Sequence, residues 1–164
     1  MGGSFPMVSR PKIKIVDDAD LRQKIEKNAD LISQVDLAKW AIIVAKHVLP
    51  YLEKEFPNSD KITNGFETNE LWQRGKATVH QVRQAGFRVH EVARECKSET
   101  AKSAARAVGQ AVGVGHMRGH AMMATDYAIK VINLAFNNDI MKVTEEREWQ
   151  LYELNKYIKG EISG

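Results

Sequence analysis

The chain has 164 residues, 43% of them apolar and 27% charged, which fits an ordinary globular protein of one domain. Its net charge of +3 is too small to announce a nucleic-acid partner, and no apolar run reaches the roughly 18–20 residues that a membrane span requires. A single cysteine, Cys96, excludes an intramolecular disulfide and any multi-cysteine zinc site.

Residues 1–16 lack an apolar block followed by a small-residue cleavage site and read as a flexible N-terminal arm, with room for an extended stretch from Lys12 to Val16. Without an export signal and with a lone thiol, the expected address is the cytoplasm. Residues 17–160 read as one all-α domain. The first helix runs from Asp17 to Ser33, capped by Asp17 or Asp18, with Leu21, Ile25, Ala29 and Ile32 on one face. Asp36 is expected to cap the second helix, in which Leu37, Trp40, Ala41, Val44, Ala45, Val48 and Leu49 follow helical spacing. Pro50 should kink that helix or end its regular part, because proline removes an amide donor and crowds the preceding turn.

Ile62 to Arg74 reads as a short helix that Asn64-Gly65 could break and Gly75 closes. Thr78-Val79-His80-Gln81 matches a capping box, and the stripe Val79, Val82, Gly86, Val89, Ala93, Cys96 should face the core. Arg83, Arg88, His90 and Arg94 lie off that stripe, and Phe87 is expected in packing. Cys96 ends an apolar stripe and reads as a small buried hydrophobe. Charge is uneven over this region: Arg74–Arg106 holds eight Lys/Arg against three Glu, whereas 53–70 and 139–153 are each acidic, five acids against two bases. Solvated helix faces account for such a pattern.

Ser98 to Phe136 spans 39 residues, too long for one globular helix. Ser98 caps its start, and Gly115-His116-Met117-Arg118-Gly119-His120 is the natural break, giving a central Ala/Gly-rich hairpin. Gly109-x-x-x-Gly113 reads as helix packing. From Ala121 to Phe136 the helix is apolar on most faces and should be the central one, with Asp126, Lys130 and Asn133 on a narrow polar stripe and Asp126 paired to Lys130 at i, i+4. After the turn Asn137-Asn138-Asp139, Thr144-Glu145-Glu146 should open a last helix that packs through Trp149, Leu151, Tyr152, Leu154 and Ile158 and ends at Gly160. The expected architecture is an all-α, single-domain bundle of about six or seven helices in antiparallel hairpins around 98–136. Trp40, Pro50, Gly109, Tyr127 and Trp149 are the expected structural residues.

His116 and His120, four apart, are weak metal candidates: no glutamate follows the first, so the zinc-protease motif fails, and the helix is expected to break between them. With Arg118 they form the candidate functional cluster. No phosphate-binding loop, nucleophile elbow or carboxylate pair for acid–base work is visible. Neither catalytic residues nor a cofactor are therefore predicted.

Residues 101–131, AKSAARAVGQAVGVGHMRGHAMMATDYAIKV, resemble the core of a family of small all-α bacterial proteins labelled putative immunity proteins. The matches are Ala104-Ala105-Arg106-Ala107, Gly109-Gln110-Ala111, His116, His120-Ala121, Tyr127-Ala128 and Lys130. Trp40…Val48-Leu49-Pro50 and Glu146-Arg147-Glu148-Trp149-Gln150-Leu151 extend the likeness over about residues 35–158. Gly113-Val114-Gly115 and Asp126 depart from the pattern. The resemblance implies a non-enzymatic protein that binds and neutralises a toxin. A metal- or small-ligand-binding protein centred on His116, Arg118 and His120 is the second reading. Nucleic-acid binding through Arg83, Arg88, Arg94 and Arg106 is the third. A homo-oligomer stays open.

Overall fold

In the computed structural model, which describes residues 9–158, the chain forms seven α-helices and no strand among the described residues. They are α1 (Ala19–Ala29), α2 (Gln34–Glu53), α3 (Asp60–Gln73), α4 (Val79–Glu95), α5 (Glu99–Val112), α6 (His120–Ala135) and α7 (Ile140–Ile158), with a 3₁₀ turn, Gly113–Gly115, between α5 and α6. The all-α bundle expected from the sequence is thus observed. No helix among the described residues is long and apolar enough to cross a membrane.

Helix starts follow local chemistry. Asp18, Ser59, Thr78 and Ser98 each accept a backbone N–H through the side chain, satisfying one of the free donors of a first turn. At Thr78 the capping box is complete, with Gln81 reaching back to the Thr78 amide at 2.8 Å. The second helix begins earlier than expected. Ser33, not Asp36, is its cap, and Asp36 supplies the amide that Ser33 accepts. Pro50 does not end α2, which continues to Glu53. The bond that proline forfeits belongs to the Lys46 carbonyl, and both residues are solvent-exposed, so the loss costs little there. Pro50 is accordingly not a core residue. Nor does Asn64-Gly65 break α3; Gly65 lies against Val89, whose Cγ2 would be 2.8 Å from a Cβ at that position. Gly75, at φ +72°, ends α3 in the left-handed conformation that glycine adopts freely.

The hairpin break falls where glycine and histidine were expected to put it, and His120 is the first residue of α6. The most enclosed helix, however, is α5. Ten of its 14 residues are buried, and α2, α3, α4 and α6 all pack on it. Alanine and valine dominate its surface, so neighbours approach closely; a Cβ at Gly86 would stand 3.5 Å from the Gly109 carbonyl oxygen. Trp40, fully buried on α2, donates its indole N–H to the Gln150 carbonyl at 2.9 Å and joins α7 to the core. Helix α7 starts at Ile140, after Asn137 and Asn138 turn the chain at positive φ. It buries Val143, Glu146, Arg147, Gln150, Leu154 and Tyr157, while Tyr152 and Ile158 are exposed. The end expected at Gly160 lies outside the described residues.

Asp126 does not pair with Lys130. Arg22 grips it with two bonds, Nε to Oδ1 at 2.8 Å and a terminal nitrogen to Oδ2 at 2.9 Å. Arg147, fully buried, donates to Asp126 Oδ1 at 2.8 Å and makes two bonds of 2.9 Å to Asp17. Two arginines and two aspartates therefore balance one another, and Thr125 and Gln150 take a further Arg147 donor.

Residues 1–8 of the expected flexible arm lie outside the described residues. From Ser9 onward it is fastened. Arg22 donates to the Ser9 carbonyl at 2.8 Å, the Ser9 hydroxyl bonds Glu26, and the Asn133 side-chain amide pairs reciprocally with the Val16 backbone at 2.8 and 2.9 Å.

Breaking one partner of such a buried network leaves charges without compensation. Asp126→Ala should cost ~3–5 kcal/mol, measured by urea unfolding. Removing Glu70 from its pair with Lys46, which spans 3.8 Å between half-exposed side chains, should cost less than about 1 kcal/mol.

Candidate functional site

Gly109 of α5 and Gly113, the first residue of the 3₁₀ turn, are notches for histidine rings. A Cβ on Gly109 would fall 2.5 Å from His90 Cε1, and one on Gly113 would fall 3.2 Å from the His120 ring. The Gly109-x-x-x-Gly113 spacing thus serves packing, as its sequence suggests, but the groups seated in it are imidazoles from α4 and α6.

Each ring is held by a polar partner from α5. His90 Nδ1 lies 2.9 Å from an Arg106 terminal nitrogen. A guanidinium can only donate, so Nδ1 accepts and the proton of the neutral ring is on Nε2. Burial first, then the positive charges of Arg106, His120 and Arg94, push His90 down to about 4. The ring is therefore neutral at pH 7. His120 Nδ1 lies 2.6 Å from Gln110 Oε1, so this nitrogen donates. Burial, then His116 and Lys12, lower its pKa as well.

The candidate cluster at the hairpin turn divides. The His116 and His120 rings stack with centroids 5.7 Å apart. Arg118 instead donates to the Ala29 and Ile32 carbonyls at 3.2 and 3.1 Å, closing the C-terminal end of α1. That is a structural bond, made where a helix leaves its last carbonyls open. Among the described residues no group of three or more His, Cys, Asp or Glu is placed to hold a metal ion. Cys96 is buried, its thiol donates to the Val92 carbonyl, and burial pushes it up to about 11. It is no nucleophile at neutral pH.

Farther along the same two helices lies a cleft of ≈ 270 Å³ with Ser103, Arg106, Tyr127 and Lys130 in its wall, closed on one side by Ile13 and Lys14 of the arm. Lys102 and Glu99 stand at it too, paired at 3.4 Å. Lys130 Nζ donates to the Lys14 carbonyl at 3.1 Å. Four cations face one carboxylate here. The sequence motif had singled out Arg106, Tyr127 and Lys130 without bringing them together; their helices run antiparallel, and only the fold places them in one wall. Of the basic residues in 74–106, Lys102 and Arg106 line this cleft, whereas Arg83 lies over the exposed Phe87 ring, 5.4 Å from its centroid. Phe87 is therefore not packed in the core. Val79 is exposed as well.

A second polar feature went unread in the sequence. His47 stacks on Trp149, with centroids 3.8 Å apart, and its Nδ1 lies 2.9 Å from Glu146, a carboxylate that burial pushes up. Trp149 is partly buried by this contact, and Tyr127 is likewise half-buried against the core.

Fold and site together define a small all-α bundle with a cationic cleft between its two innermost helices. The family model described as Imm-5 like putative immunity protein matches residues 27–157, from the end of α1 to the end of α7, and the chain belongs to that family. No curated protein and no solved structure matches it.

Two outcomes follow from the histidine notches. Between pH 6.5 and about 4 the unfolded chain binds a proton at residue 90 that the folded chain refuses, so stability should fall as pH drops through that window. The loss is about 2 kcal/mol after allowing for partial exposure of the ring, and His90→Gln should flatten the slope of urea stability against pH. Gly109→Ala should destabilise by ~1–3 kcal/mol through overpacking, and His90→Ala in the same chain should relieve most of that cost.

Proposed function

We propose that this protein is an immunity protein in the literal sense: it binds a toxin directly and blocks it by covering the toxin's surface. The family match over residues 27–157 carries this reading. That match spans nearly the whole bundle, so the likeness concerns the entire folded unit and not one motif. The absence of a recognised catalytic motif from the sequence agrees with a role in binding. We place the protein in the cytoplasm, where such an inhibitor would protect the cell that makes the toxin.

The turn of His116, Arg118 and His120 gives little support to a ligand-centred reading, because Arg118 and one nitrogen of His120 already have structural partners.

Co-expression with candidate toxins, beginning with any encoded by an adjoining gene, is the test. Growth should be restored, and the two proteins should elute together on a sizing column. Unchanged toxicity with no complex would overturn the reading.

A further inference from the structure

We propose that the cleft between α5 and α6 binds a phosphate group, taken either as the free anion or as the monoester of a small molecule, through Arg106, Lys130, Lys14 and the hydroxyls of Tyr127 and Ser103.

The first ground is charge. Lys14, Lys102, Arg106 and Lys130 share one small cleft with a single acid, Glu99, which is already paired to Lys102. Among the described residues no carboxylate pairs with Arg106 or Lys130. A cleft of ≈ 420 Å³ beside the arm, against α1 and α6, is different. Its Arg10, Lys12, Arg22 and Arg118 are met by Glu26, Asp30 and Asp126, so it carries no comparable excess.

The second ground is the manner in which the cations are held. Arg106 is oriented by a neutral imidazole, so its position is fixed without cancelling its charge. That contact uses one of five guanidinium donors and leaves the others for an incoming acceptor. Lys130 is likewise steadied by a backbone carbonyl, which does not neutralise it. An arginine's planar fork beside ammonium groups is the donor set that phosphate oxygens prefer.

The third ground is size. Clefts for drug-sized ligands run to about 300–1,000 Å³, and ≈ 270 Å³ suits a compact anion. Ile13 of the arm forms part of one side.

Inorganic phosphate, and in a second arm ribose 5-phosphate, should be titrated into the whole protein at constant ionic strength set with KCl, followed by calorimetry and by thermal unfolding. Saturable one-site binding is expected. Arg106→Gln and Lys130→Gln should each weaken it at least about tenfold, the loss of one charge-assisted bond, while Lys24→Gln, at an exposed lysine of α1, leaves it unchanged. Tighter binding of the sugar phosphate than of the free anion would assign the monoester as ligand; equal binding would assign the anion. Circular dichroism checks that each variant is folded, and Lys130→Gln, altering a half-buried residue, serves if Arg106→Gln is not. The proposal is overturned if phosphate does no more than chloride at equal ionic strength, or if both variants bind as the parent does. Toxin protection is read separately, so failure here leaves the immunity reading standing.

Discussion

The charges that tie α1, α6 and α7 together meet at one buried carboxylate. Asp126 sits inside the bundle on α6 and takes a guanidinium from α1 and another from α7. Taking such charges out of water costs several kcal/mol each, a cost met only where geometry is good and the remaining donors are used. Here both conditions hold. Arg22 is bidentate to Asp126, and Arg147 is bidentate to Asp17 while its other donors reach Thr125 and Gln150. The return is positional rather than energetic. Four charges that must meet in one place fix α1, α6 and α7 in a single register and leave the polypeptide before α1 one path across α6.

That path builds the cleft. Arg22 holds the Ser9 carbonyl and Asn133 clasps the Val16 backbone, so residues 9–16 are drawn over α6 between two fixed points. Ile13 and Lys14 lie between those points, and the Lys14 carbonyl is where Lys130 rests. A wall of the cleft thus depends on a carboxylate that does not line it. The wall also comes from residues that precede the stretch matched by the family model, which begins at residue 27.

Much of the fold was legible because its signals are local. A capping box, a glycine at the end of α3 and a glycine–histidine break in a 39-residue run each act within a few residues. The errors share a cause. Ser33 and Asp36 are both good caps three positions apart, and only the actual helix start chooses between them. Asp126 and Lys130 have ideal spacing for a surface pair, yet tertiary partners far away in sequence outbid a contact worth a few tenths of a kcal/mol. Arg147 and Gln150 are polar by type and fully buried by position; helical periodicity discards such residues from the core. The cleft was half legible. Its motif residues stand out in the sequence, but His90, which orients Arg106, and Lys14, which supports Lys130, come from segments with no local reason to approach α5 and α6.

The charges gathered at that cleft run against the economy shown elsewhere in the molecule. At Asp126 the fold matches two arginines with two aspartates. At Arg106 and Lys130 it brings cations into a partly enclosed space and gives them neutral acceptors, a ring nitrogen and a carbonyl oxygen. Like charges held close destabilise the compact state, and a glutamate in place of His90 would have relieved the repulsion. Several cations gathered around one small cleft with a single, already paired acid mark a site whose missing partner is a ligand. The residual positive potential is itself the recognition element, because it acts at a distance of several ångströms before any hydrogen bond forms and selects anions from the solution.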